Sequence, residues 1–279
     1  MQLVLRLIAL GNDVTIATRG THIDPFGDKV KRLTLDVSKP ETCKTALSNK
    51  HYDIVYHDIA YCSNYVKNVF DYVSCDKAIQ LSSVEIYAGK WCQNMKESLF
   101  DPYKTKLIWN DINAGYVEGK QQAECALVQH YKNLDSVIVR IPYVTKTDRL
   151  YYYCKNIIQG NTMKIDDINR GFSFIRDTEV GAFLALIATQ DFSGVINLSS
   201  TGHITIKDII SYIENKVNKK AKVNKSEGIE SPFHVYNEKD FSLNMDKSIK
   251  LGYKPSTHDS WFWKLMDEYI AKALRETKK

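Results

Sequence analysis

The order of apolar runs predicts an α/β fold: a doubly wound parallel sheet with a small C-terminal α/β cap. Two observations carry this. Short runs rich in Val and Ile alternate with helical patterns through the first half of the chain. Each run is apolar without a break, which is the pattern of strands buried on both faces. Strands separated by helices pair in parallel through right-handed crossovers, and this winds helices onto both sides of one sheet.

The elements follow in order. Leu3–Leu10 is a helical run ended by Gly11, which suits the left-handed position after a helix. It is almost wholly apolar and reads as a buried helix. It is too short to span a bilayer, Arg6 interrupts it, and neither a basic segment nor a small-residue cleavage site flanks it, so no membrane span or secretory signal is read. Val14–Thr18 is the first strand, ending at Arg19-Gly20, and Lys31–Val37 the second, with Asp36 at its end. Thr42–Ser48 is a short helix behind Pro40. Asp53–Ala60 is the third strand, Asn64–Val73 a helix and Lys77–Ser82 a strongly apolar fourth strand. Beyond a polar loop, a helix runs from Tyr116 to about Tyr131, and Ser136–Ile141 is a further strand.

Residues 146–279 are less regular. Leu150–Ile158 and Thr178–Thr189 read as helices, the second started by Asp177. Val195–Leu198 is a short strand returning to the sheet. Thr205–Lys216 is a helix opened by a capping pattern, Thr205 with Asp208, and Trp261–Thr277 is a terminal helix. This half is expected to sit over the carboxyl ends of the strands, where ligands bind in such sheets.

Composition narrows the function classes. Hydrophobic residues make up 44% and charged residues 25% of the 279 positions, ordinary for a globular protein. A net charge of +5 is mild for a nucleic-acid-binding domain. The six cysteines (Cys43, Cys62, Cys75, Cys92, Cys125 and Cys154) form no CxxC pair and have no ligand partner at metal spacing, so no metal site is expected. They suit reduced thiols in the cytoplasm.

Two motifs carry chemistry. Tyr116-Val-Glu-Gly-Lys120 sets Tyr and Lys one turn apart on one helical face. An ammonium there favours phenolate and makes Tyr116 a usable acid or base near neutrality. The spacing alone is commonplace in helices. Ser82-Ser83 follow an apolar strand, where a hydroxyl can donate to a substrate oxygen; two serines can also simply begin a turn. Tyr151-Tyr152-Tyr153 fits either a substrate pocket or cap packing, and His57, inside a strand pattern, reads as structural.

Taken together the motifs resemble those of the extended short-chain dehydrogenases/reductases, the NAD-dependent epimerase/dehydratase group. The order is strand, Ser82-Ser83-Val84-Glu85-Ile86-Tyr87, loop, Tyr116-x-x-x-Lys120 on a helix, then Arg140-x-Pro142. Further matches lie at Asp53–Ala60, Phe174–Asp177, Asn197–Ser199 and Asp246–Gly252, so the resemblance covers nearly the whole chain. It implies a Rossmann-type cofactor domain over residues 1–145, with 146–279 completing the sheet and forming the substrate cap. It implies that Ser83, Tyr116 and Lys120 are catalytic. Tyr116 would transfer the proton, Ser83 polarise the substrate oxygen, and Lys120 bind the nicotinamide ribose while tuning Tyr116. Asp36, Val37, Ile59, Ala60, Tyr61, Pro142 and Val144 would line the cofactor, together with Tyr116 and Lys120. Arg19 sits where a 2′-phosphate would be met, which favours NADP over NAD. Tyr143 and Arg149 fall on the substrate side; at Tyr143, sugar-nucleotide epimerases generally carry an asparagine.

The implied activity is that of an NAD(P)-dependent epimerase/dehydratase or reductase acting on a sugar-like or small carbonyl or alcohol substrate. The family also places a strand and a G-x-x-G-x-x-G loop immediately before the helix that starts at Gln2. That strand and loop are expected to be missing here, with an open groove between Val14–Thr18 and Asp53–Ala60. The alternative is a catalytically impaired relative acting as a binding protein. It could bind RNA through the lysines of Lys216–Lys225 and Lys278-Lys279, although that stretch has no aromatic residue to stack bases. A membrane partner is not expected, and a homodimer is the assembly left open.

Overall fold

A computed structural model describes residues 1–145, 148–233 and 240–277. The Lys278-Lys279 tail lies outside the described residues.

The first half alternates as its pattern requires: α1 (Gln2–Ala9), β1 (Thr15–Thr18), β2 (Lys31–Thr34), α2 (Pro40–Leu47), β3 (Lys50–His57), α3 (Ser63–Phe70), β4 (Val73–Ser83), α4 (Tyr116–Cys125) and β5 (Asp135–Ile141). Pro40 starts α2 at a position where its missing N–H costs nothing. A five-residue π-helical turn, Ala126–His130, continues α4 and buries Ala126, Leu127 and Val128 in succession.

The second half supplies β6 (Tyr143–Val144), α5 (Asp148–Gln159), β7 (Thr162–Lys164), β8 (Gly171–Phe172), β9 (Phe174–Ile175), α6 (Asp177–Ile187), β10 (Gly194–Asn197), β11 (Ile204–Thr205), α7 (Ile206–Val217), β12 (Lys222–Asn224), β13 (Ile229–Glu230), α8 (Asp246–Lys250) and α9 (Phe262–Thr277). Thr205 and Asp208 close the expected capping box on α7.

β1–β5 and β10 pair in parallel but form two ladders, and the short strands of the second half pair apart from them, β8 with β11 antiparallel. β3, β4, β5 and β10 make a four-stranded sheet in the order β10-β5-β4-β3, so the return strand joins its far side. β1 and β2 pair separately, and no ladder links β1 to β3 among the described residues. Helices hold the two leaves together. On one face α2, α3 and α4 share a core in which Leu35 and Val37, just past β2, meet Val66, Phe70, Ala78, Ala123 and Ile138. On the other, α6 covers Ile79, Val137, Val139 and Ile196, and α1 bridges the leaves: Leu3 packs on that core while Val4, Leu7 and Ile8 pack on Val14, Phe26 and Val30.

Here one expectation needs correction. α1 is not a buried helix: none of its residues is fully buried, and Leu5 and Leu10 are exposed. It rests mainly on α6, where Gly181 allows close approach; a Cβ at that glycine would lie 2.8 Å from backbone atoms of Gln2 and Leu3. A further core is enclosed by α5, α7 and α9 around Tyr153, Ile157, Phe172, Phe174, Ile209 and Phe262, and it extends to Val84, Ile86 and Tyr87. Among the described residues no helix is long and apolar enough to cross a membrane.

Candidate active site

Parallel strands present their carboxyl ends along one edge, and the predicted residues lie at those ends. β4 ends at Ser83, whose Oγ accepts the backbone N–H of Glu85 at 3.2 Å and so opens the short 3-10 turn Val84–Tyr87. Helix α4 meets the ends of β3 and β4 and this turn at three points. Lys120 Nζ donates to Leu81 O at 3.0 Å, and Gln121 Nε2 donates to Ile86 O at 2.7 Å. Between them Gly119 meets the chain after β3: a Cβ there would lie 2.2 Å from Tyr61 O, closer than any side chain permits. The sequence reading passed over Gly119. Its signal was a glycine inside a helix, where it costs stability unless close approach requires it.

That seating brings Tyr116 near Ser83, whose hydroxyl acts on the Tyr116 phenol. Burial raises the Tyr116 phenol above its ordinary range, and the neighbouring Ser83 hydroxyl lowers it in part. The expected tuning of the phenol by Lys120 is therefore not what dominates in this arrangement, because the amine is turned to Leu81 O and to the face of Tyr61, 4.9 Å away. Lys120 is itself pulled down to about 8 by burial, against the opposing pull of Glu124 and Asp58.

Glu85, unassigned by the sequence reading, completes the cluster. It is 3% exposed; its Oε1 accepts the Tyr143 hydroxyl at 2.8 Å, and its Oε2 has no partner among the described residues. Burial raises its carboxyl above the ordinary range. Arg149 stacks its guanidinium over the Tyr143 ring at 5.1 Å, and both Arg149 and Glu85 act on the Tyr116 phenol. Ser83, Glu85, Tyr116, Tyr143 and Arg149 thus share one place, with Lys120 and Tyr61 beside it.

A second group lies at the ends of β1 and β2. Asp36 accepts the N–H and hydroxyl of Ser38 at 3.0 and 2.7 Å, and these bonds hold its carboxyl below the usual range, with Arg19 contributing. Arg19 is exposed, and Val37 is buried against the sheet. Ile59 and Tyr61 are exposed on either side of buried Ala60, at the end of β3 between the two groups. Pro142 is buried and Val144 half-buried in the chain leaving β5.

Other motif residues hold the frame. Arg140 is fully buried; its Nε and Nη2 reach Glu124 at 3.0 and 2.6 Å, and Nη1 reaches the Tyr87 hydroxyl at 2.9 Å. Ser82 donates to Glu124 at 2.5 Å and Tyr87 to Asn197 Oδ1 at 2.8 Å, so one polar chain ties β4, α4, β5 and β10. Tyr151-Tyr152-Tyr153 serves cap packing: Tyr153 is fully buried, stacked on Phe233 and bonded to Ser231. In the lysine stretch, Lys216 pairs with Asp267 and Lys220 with Glu214. Among the described residues no group of His, Cys, Asp or Glu could hold a metal ion.

No family model matches the chain, and no curated protein does. Solved structures do. A UDP-glucuronic acid 4-epimerase from Bacillus cereus, solved with UDP-glucuronic acid and NAD, superposes with a TM-score of 0.71 at 17% identity, over 97% of this chain and 95% of that one. A UDP-glucose 4-epimerase from Thermus thermophilus, solved with NAD, gives 0.62 at 13% identity over 97% and 94%. An epimerase from Methanothermobacter thermautotrophicus gives 0.69 at 12% identity over 99% and 90%. The chain therefore has the fold of these epimerases along nearly its whole length.

Proposed function

We propose that the protein is an NAD(P)-dependent enzyme of the epimerase/dehydratase or reductase type acting on a sugar-like substrate. The observation that carries this is the Tyr116–Ser83 hydroxyl pair, set beside buried Lys120 at the carboxyl ends of a parallel sheet. Tyr116 exchanges a proton with a substrate hydroxyl or carbonyl oxygen, and Ser83 steadies that oxygen with a hydrogen bond. Glu85 and Arg149, joined through Tyr143, face the remainder of the substrate.

The residues present fit a nicotinamide dinucleotide at both ends. Lys120 uses one ammonium N–H on Leu81 O, which leaves donors for a ribose diol. Asp36 and Arg19 lie together where an adenosine would end, and the Arg19 charge favours NADP over NAD. Val37, Ile59, Ala60, Tyr61, Pro142 and Val144 would line the path between. The bound nicotinamide supplies the hydride chemistry.

UDP-sugars are bound by the solved neighbours, which makes them the first class to test. The engaged lysines of Lys216–Lys225 favour a small-molecule partner over nucleic acid, and the free cysteines favour a cytoplasmic setting. We carry a homodimer as the assembly to test by light scattering. For function, the test is incubation with NAD or NADP and a panel of UDP-sugars, with products followed by NMR. Conversion that is lost in Tyr116→Phe is the expected result. A Tyr116→Phe variant as active as its parent overturns the reading.

A further inference from the structure

His57 and Gln80 stand opposite each other in the β3–β4 ladder. They are 4% and 0% exposed, yet neither ring nitrogen of His57 and neither amide atom of Gln80 has a hydrogen-bond partner among the described residues. Both face the α3–α4 layer. Ala78 and Ser82, which flank Gln80 at two-residue spacing, meet that layer through Val66, Phe70 and Ala123 and through Glu124. The Phe70 ring touches His57 edge-on at 6.0 Å. A neutral imidazole brings one donor and one acceptor, and the amide brings two donors and an acceptor. Buried polar atoms are almost always paired, and four bare ones side by side would be a severe cost to the fold.

We propose that His57 and Gln80 hold ordered water between β3, β4 and α4, and that this water forms the polar floor beneath Lys120. A water molecule satisfies several buried polar atoms at once, and a polar pocket is where such water stays. His57 cannot serve as a second cation here: burial, and after it the nearby Lys120, hold the imidazole neutral, at about 3. The charged and titratable groups facing Lys120 are Glu124 on its own helix, Asp58 and His57 from β3 and its end, and the Tyr61 ring. Of these Glu124, Asp58 and the face of the Tyr61 ring favour its charge while burial opposes it, so the polarity of the floor bears directly on its protonation. This link rests on the role given to Lys120 above; the water itself does not.

Oxygen-17 magnetic relaxation dispersion counts long-lived internal waters in the ligand-free protein. Gln80→Leu is expected to lose at least one relative to the parent and to melt at a lower temperature. An unchanged count overturns the proposal, and so does a higher melting temperature, the result expected if two bare polar atoms had merely been removed. If Gln80→Leu does not fold, the parent decides alone: a high-resolution crystal structure lacking water density between the His57 ring and the Gln80 amide overturns the proposal. In turnover, the alkaline limb is expected to move to lower pH in Gln80→Leu. An unmoved limb with lost water overturns the link to Lys120. A parent inactive on every substrate counts against the function and leaves the water count standing.

Discussion

The two leaves of the sheet are built from similar apolar runs and end up differently buried. In the closed leaf, Ala78, Ile79, Val137, Ile138, Val139 and Ile196 are each at most 1% exposed, sealed by helices on both faces and, in β4 and β5, by paired strands on both sides. In the open leaf, no residue within β1 or β2 is fully buried. The two site groups divide along the same line. Tyr116, Ser83, Lys120 and Glu85 stand on the closed leaf, braced by the Arg140–Glu124 chain. Arg19 and Asp36 stand on the open one, and Asp36 is held there by short local bonds to Ser38. Burial is a property of what a strand pairs with, and the same residues fix a side chain rigidly only where the ladder is closed.

The largest effect expected is on turnover. Tyr116→Phe removes the group proposed to transfer the proton and should lower the rate about 10²–10⁴-fold in steady-state kinetics, with unchanged thermal stability. Next is the brace of the closed leaf. Arg140→Ala strands the fully buried Glu124 carboxylate and should cost about 3–5 kcal/mol in urea denaturation. The exposed Lys31–Asp13 pair of the open leaf gives the contrast, and Lys31→Ala should leave the midpoint where it is. Equal losses at the two sites would erase the distinction between the leaves.

Lys120→Met is expected to stabilise the fold while abolishing activity. Lys120 is held at about 8 in the folded chain, below its ordinary 10.5. Between those values the unfolded chain binds the extra proton, so stability rises with pH across this window. Below it, burying the ammonium costs roughly 3 kcal/mol. The variant should therefore outlast the parent at pH 7, by up to that amount, and the advantage should vanish toward pH 10.5. Denaturation curves at the two pH values check this, and a parent more stable at pH 7 would refute it. The smallest effect belongs to the open leaf. Arg19→Ala should weaken NADP about tenfold more than NAD by calorimetry. Equal weakening would show that Arg19 does not discriminate.

Much of this was legible in the sequence, for identifiable reasons. β-Branched runs and their spacing to helices gave the strands, and Ser83, Tyr116 and Lys120 stood out as candidates because each sits at a fixed offset from a strand or helix end. Thr205 and Asp208 announced their helix directly. Glu85 was hidden because its importance comes from burial and from Tyr143, fifty-eight positions away, and spacing along the chain encodes neither. α1 misled because an all-apolar pattern signals burial only when neighbours exist on every side. Arg140 and Tyr87 were read as part of a motif, yet their geometry serves the frame. A pattern records that a residue is needed and leaves its task open.

The π-helical turn after α4 has a consequence for how the chain tolerates changes of length. Within it, Gln129 reaches the carbonyls of Pro102 and Thr105 at 2.5 and 2.6 Å and so tethers the loop that precedes α4. Deleting one residue from 126–130 would restore ordinary winding, absorb the lost residue within the turn and move Gln129 off the loop. Tyr116 and Lys120, upstream, would keep their places, while Gln129 would release the loop. A deletion at this point would thus separate two properties: the spacing of Tyr116 and Lys120, and the hold on the loop that leads into them.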